Sequence, residues 1–254
     1  MRDRFGDALG WVVVGVMLMS GCGSGSRQRG QREPVVVAPP AGTPAMKPAP
    51  ATPIDKQRVE LGGRTWDPEW DKIVEEALPP EMLSPEVPRD VRRFCPRFYG
   101  MSMEDKRAFW AYFFQALAGA EAGLKPETRV QHTEPEVAVK DGVTERTAKQ
   151  EGLLQLRYED EKRYGCDFNW ERDKRLPAKD PSRSILEPKN NLVCGVKILK
   201  TQIIDRRKQL LSETSYWSTL RPGTVSYRVF AKQMTNVPLA CKSRRSEVTM
   251  VATK

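Results

Sequence analysis

A glutamate in the last turn of an apolar-faced helix is the group best placed for chemistry in this chain of 254 residues. Glu121 follows Phe114 and Leu117 on that helix. The negative end of the helix macrodipole and apolar neighbours both disfavour a charged carboxylate, and so raise its pKa. A general acid that protonates a glycosidic oxygen near neutral pH needs that property. The counts discourage most other chemistries. The single histidine, His132, reads as a loop residue and argues against Ser-His-Asp or Cys-His catalysis and against a His-rich metal site. No Cys-x-x-Cys spacing supports zinc, and no metal or cofactor is expected.

The elements that must hold Glu121 are mainly helical. Ser102 and Asp105 have the spacing of a helix start, and Phe109, Phe113, Ala116, Leu117 and Ala120 recur every three or four residues. This predicts a helix over 104–122, ended by Gly123 and Pro126. A second helix is expected from Asn190 to Leu210, capped by Asn190 or Asn191, and a third from Val225 to Met234. A short amphipathic helix is expected from Pro68 to Leu78. Period-two alternation appears only briefly, from Glu134 to Val139, so the fold class is mainly α.

Arg2 and Arg4 precede an apolar run of 11 residues, Leu9 to Met19, which is too short to span a bilayer and has the order of an export signal. With Ser20, Gly21 and Cys22 it resembles a bacterial lipoprotein signal, which implies lipid attachment at Cys22 and a periplasmic protein anchored to the outer membrane in preference to the inner. Residues 22–85 then read as a Pro- and Ala-rich tether and lead-in, 86–242 as the folded domain and 243–254 as a polar tail. Cys95, Cys166, Cys194 and Cys241 remain, an even number suited to two disulfides in an oxidising compartment. Three pairings are open. Cys95 and Cys241 bracket the domain while Cys166 and Cys194 flank one loop, which favours those two pairs. The net charge of +9 is unchanged by removal of residues 1–21, and its scatter among acidic residues suits an anionic wall polymer better than nucleic acid, which is not expected as a partner.

Three segments in order, Ala118-Gly-Ala-Glu121-Ala-Gly-Leu-Lys-Pro126, Glu151-Gly152-Leu153-Leu154-Gln155-Leu156 and Glu187-Pro188-Lys-Asn-Asn191-Leu192-Val-Cys-Gly195-Val-Lys-Ile198-Leu199, resemble the soluble lytic transglycosylase group of the lysozyme-like superfamily. The resemblance spans about residues 104–220. It implies a lysozyme-like helical domain in which Glu121 is the catalytic acid and base. It also implies that Gln155 and Leu154, in place of the usual Met, contact glycan, with Tyr216 near the site. Asn191, Gly195 and Leu199 match positions of the supporting helix. Tyr158 is the aromatic residue favoured for the cleft among Trp110, Tyr112, Tyr164, Phe168, Trp170, Trp217 and Tyr227, which core packing accounts for equally well. Ala122 stands where the family has Ser, and the 31 positions from Glu121 to Gly152 include an apparent insertion, Lys125 to Gln150.

The implied partner is the glycan strand of peptidoglycan, and the implied reaction cleaves the bond between N-acetylmuramic acid and N-acetylglucosamine with formation of a 1,6-anhydro ring. A second carboxyl from Glu134, Glu136 or Asp141 could instead activate water, although all three read as solvated loop residues, and Glu151 reads as a surface charge. The alternative is a non-catalytic lysozyme-like module that binds peptidoglycan or serves an envelope assembly.

Overall fold

The computed structural model describes residues 60–61, 64–131 and 139–242. The export segment, Cys22, the Pro-rich stretch, His132, Glu134, Glu136 and residues 243–254 lie outside them. The helices are α1 (Pro68–Ala77), α2 (Met103–Ala122), α3 (Asp160–Tyr164), α4 (Trp170–Asp173), α5 (Pro188–Lys200) and α6 (Val225–Gln233), and the described part is mainly α. Two antiparallel hairpins accompany them, β1 (Glu60–Leu61) with β2 (Arg64–Thr65) and β3 (Arg129–Gln131) with β4 (Lys149–Glu151). Arg129 pairs with Glu151 and Gln131 with Lys149, so the second hairpin brings together the two ends of the insertion read in the sequence.

Helix α2 is the centre of the core. The Ser102 hydroxyl accepts from the Asp105 N–H at 3.1 Å and caps its start. At the other end Gly123 takes a left-handed conformation, φ 57°, and the Leu124 N–H returns to the Ala118 carbonyl at 3.4 Å. Phe109, Trp110, Phe113, Phe114, Leu117 and Ala118 are all fully buried, so α2 is enclosed on most sides instead of presenting one apolar stripe. Helices α1 and α6 pack on it, and α1 also packs on α5.

The boundary expected at residue 86 is corrected by this packing. Trp66, Val74, Leu78, Met82 and Leu83 are buried in the same core, each worth about 1.5–3 kcal/mol of apolar burial. Buried polar groups of α2 are satisfied from this segment: Trp110 Nε1 donates to the Met82 carbonyl and Lys106 Nζ to the Leu83 carbonyl, both at 2.8 Å. The Asp67 carboxylate caps α1 by accepting from the Glu69 N–H at 2.9 Å, and Pro68 at the first helical position is preset for the turn.

Helix α5 also differs from its expected bounds. It begins at Pro188, because proline at the first helical position lacks only an N–H that has no helical partner there. Asn191 is therefore inside the first turn and is not a cap. The α-helix stops at Lys200 and continues as a single π turn, Thr201–Asp205, where the Arg206 N–H bonds to the Thr201 carbonyl at 3.0 Å, well short of Leu210. Disulfides join Cys95 to Cys241 and Cys166 to Cys194, the pairing the sequence favours. They fit an oxidising, extracytoplasmic compartment. Among the described residues no helix is long and apolar enough to cross a membrane.

Candidate active site

Glu121 occupies the last turn of α2, half-buried, with its Oε1 atom fully enclosed and without a hydrogen-bond partner. Burial pushes its carboxyl above the ordinary carboxylate range, while the Thr219 hydroxyl and the Arg221 guanidinium pull in the opposite direction. Thr219 Oγ1 is itself buried with no other hydrogen-bond partner, and its hydroxyl favours the charged carboxyl as a donor beside it. Both neighbours come from the 3₁₀ turn Ser218–Leu220 and the residue after it. Arg221 is fixed there by donating to the Ser215 carbonyl from Nε at 3.0 Å and Nη2 at 2.7 Å. The result is a carboxyl biased toward its protonated form, beside a cation that cannot swing away freely.

The Gly152–Gln155 turn is fastened to the end of α2 through Thr128. Its hydroxyl donates to the Ala122 carbonyl at 3.1 Å, and its carbonyl accepts from the Gly152 N–H at 2.9 Å and from Gln155 Nε2 at 3.3 Å. Gly152 has φ +82°, and a Cβ there would lie 2.2 Å from Asn191 Nδ2 and 2.8 Å from the Ile185 carbonyl, so only glycine fits. Gly195 plays the matching part on α5, where a Cβ would meet Leu154 Cδ1 at 2.1 Å. Trp217 Nε1 donates to the Leu154 carbonyl at 2.8 Å and brings the 215–221 segment to the same turn. The three segments separated in sequence therefore converge, and Asn191 and Gly195 hold them as supporting residues.

Several expected site residues face inward. Gln155 is 2% exposed at φ 52°, and its amide nitrogen donates to the Gly152 carbonyl at 2.8 Å as well as to Thr128, which leaves Oε1 as its one unpartnered polar atom. The expectation that Leu154 touches glycan is corrected: it is fully buried against Gly195. Tyr158 is corrected likewise. It is 3% exposed, its hydroxyl donates to Asp173 and accepts from Arg183 Nη2, both at 2.9 Å, and its ring packs on Trp170 with centroids 5.0 Å apart. Tyr216 is half-buried, donating to Asp160 Oδ2 at 2.6 Å and packing edge-on against Trp217.

Two carboxylates read as solvated are buried. Glu151 is enclosed by Arg129 and by Arg183, whose Nη1 lies 3.0 Å away. Asp141 accepts from the Val143 and Thr144 N–H groups at 2.9 and 2.8 Å and from the Glu159 N–H at 3.2 Å, which makes it the organiser of a turn and not a second catalytic acid. Thr219 and Arg221 were missed in the sequence, where no motif marks them. Trp110, Tyr112, Phe168 and Trp217 are core residues. Among the described residues no cluster of three His, Cys, Asp or Glu side chains is placed to hold a metal ion.

The fold is similar to that of solved structures of DslA. Against the wild-type protein the TM-score is 0.54 at 24% identity, covering 68% of this chain and 91% of DslA. Two DslA variants, each with a glutamate replaced by glutamine, give a TM-score of 0.53 over the same shares. No protein-family model and no curated protein matches the chain.

Proposed function

We propose that this chain is a peptidoglycan lytic transglycosylase, with Glu121 as its single acid and base. The observation that carries the reading is the Glu121 carboxyl, protonation-biased by burial and set where the end of α2, the Gly152–Gln155 turn and the 215–221 segment meet. In the first step Glu121 gives its proton to the oxygen bridging N-acetylmuramic acid to N-acetylglucosamine as the C1–O bond breaks. The resulting carboxylate then takes the proton of the muramic C6 hydroxyl, whose oxygen bonds to C1 and closes the 1,6-anhydro ring. The acid is regenerated and no water is consumed. Arg221 tempers the burial of Glu121 and stabilises the carboxylate between the two steps.

The test is digestion of purified sacculi followed by mass analysis of the muropeptides. Anhydro-muropeptides released by the wild type and lost in Glu121→Gln support the proposal; no release with sacculus binding retained overturns it. Reducing ends derived from water would make the protein a muramidase. The inward-facing Gln155 and Tyr158 favour, as a second reading, a wall-binding module without catalysis, which is that null outcome. The reading includes an anchor at Cys22, and Cys22→Ala should abolish lipid labelling; labelling that persists refutes the anchor.

A further inference from the structure

Beside the second hairpin lies a cavity of about 40 Å³ that neither Glu121 nor Gln155 lines. Four basic side chains border it, Arg129, Arg146, Lys149 and Arg183, against two carboxylates, Glu151 and Asp141. Both carboxylates are already engaged. Glu151 is buried between Arg129 and Arg183, and Asp141 directs both of its oxygens at backbone N–H groups. Lys149 and Arg146 thus face the cavity without an ion-pair partner among the described residues.

Among the described residues the lining carries four cations against two carboxylates, and like charges in a partly enclosed space repel at reduced dielectric, an arrangement that costs free energy unless an anion completes it. Burial holds the Lys149 ammonium below its ordinary pKa, and the charges of Arg129, Arg146 and Arg183 add to this, with Glu151 alone opposing them. The hydroxyls of Thr144 and Thr147 border the same space. Trp170 forms an apolar wall, with the Arg146 guanidinium stacked 5.6 Å over its ring and so kept beside the opening. Arg146 and Thr147 are exposed, which gives the cavity a way to solvent. Its volume takes a few waters or one small polar group and is too small for a sugar ring.

We propose that this cavity is a binding site for a small anionic group, a carboxylate or a phosphate, held by Lys149 and Arg146 with the threonine hydroxyls as further donors. The site is independent of glycan cleavage at Glu121. Anions of this kind are presented by peptide carboxylates and by phosphate, free or esterified, and both are matched by the same donors.

The test is NMR titration of the full, disulfide-intact chain with inorganic phosphate and, separately, with acetate, at constant ionic strength maintained with chloride. The expected result is a saturable shift of the Trp170 indole N–H signal and a rise in the Lys149 pKa with at least one of the probes. Tighter binding of phosphate assigns a phosphate ligand, and tighter binding of acetate a carboxylate. The double variant Lys149→Gln/Arg146→Gln should weaken binding by at least about tenfold, and Lys149→Arg should retain it. Neither substitution removes a core residue, so the remaining spectrum serves as the check on folding. No saturable shift at Trp170 with either probe, or equal affinity in the wild type and the double variant, overturns the proposal.

Discussion

The side-chain oxygen of Asn191 accepts from the Leu154 N–H at 2.8 Å, across 37 positions of sequence. Its amide nitrogen donates to the Ile185 carbonyl at 2.8 Å and to the Glu151 carbonyl at 3.2 Å. One side chain, fully buried on α5, thereby satisfies three backbone groups of two loops and holds a turn whose first and last residues, Gly152 and Gln155, both have positive φ. Asn191→Ala leaves the Leu154 N–H and the Ile185 carbonyl enclosed and unpaired, while the Glu151 carbonyl keeps the Leu156 N–H at 2.9 Å. The expected loss is about 3 kcal/mol, read as a fall in Tm of roughly 10 °C by calorimetry. A variant as stable as the wild type would show that water replaces the amide without cost.

Close approach of Leu154 to Gly195 predicts coupling between them. Gly195→Ala places a methyl 2.1 Å from Leu154 Cδ1 and should cost about 1–3 kcal/mol through overpacking. Leu154→Ala alone should cost about 2–5 kcal/mol by opening a cavity. In the double variant the new methyl enters the vacated space, so urea unfolding should give a loss smaller than the sum of the two. Additive losses would mean that the turn and α5 are not in direct repulsive contact.

Glu121 makes stability depend on pH in a defined direction. Its carboxyl is raised above the ordinary value of 4.5, chiefly by burial. Between 4.5 and the folded-state value the native protein keeps a proton that the unfolded chain has released. The stabilising contribution is therefore complete below 4.5 and is lost as pH rises through the folded value. Glu121→Gln keeps the shape without the titration, so its stability relative to the wild type should improve as pH rises through this window, measured by urea unfolding at several pH values. A difference that stays flat with pH refutes the raised pKa.

The framework of the fold was legible where local rules act alone. Ser102 with Asp105 and the three-four spacing place α2 correctly, and the bracketing by Cys95 and Cys241 indicates their pairing. Pro188 signals the start of α5, but the pair of asparagines after it offered a competing cap, and only the side-chain bonds of Asn191 reveal its interior role. Docking of residues 66–85 was hidden because prolines at 79, 80 and 85 punctuate the segment, while its burial depends on contacts to α2 absent from its own pattern. Glu151 reads as a surface charge from its type alone. Its burial follows from a pairing with Arg183 across 32 positions that no local signal carries. Glu121 was found from its place in the first of the three ordered segments that carry the family resemblance, whereas Thr219 and Arg221, which no such segment marks, were not found at all.

The two disulfides should contribute unequally. Cys166–Cys194 closes 28 positions and Cys95–Cys241 closes 146, so in the chain-entropy account they stabilise by about 4 and about 5 kcal/mol respectively. Cys95→Ser/Cys241→Ser should therefore unfold at lower denaturant than Cys166→Ser/Cys194→Ser, measured by fluorescence under non-reducing conditions. The reverse order would place the governing constraint in the smaller loop.

Enclosure of residues 95–241 within one covalent ring also decides how the domain meets a protease. The stretch 174–182 is largely exposed and lies inside both disulfide loops. A cut there, for instance after Arg175, creates new chain ends without releasing either piece, since two cross-links still join the halves. On a gel the nicked protein should run as one species until it is reduced and as two afterwards. Cleavage at this point loosens a loop while α2, the turn and α5 stay tethered around Glu121, so a protein cross-linked in this way can be nicked by a protease without being dismantled.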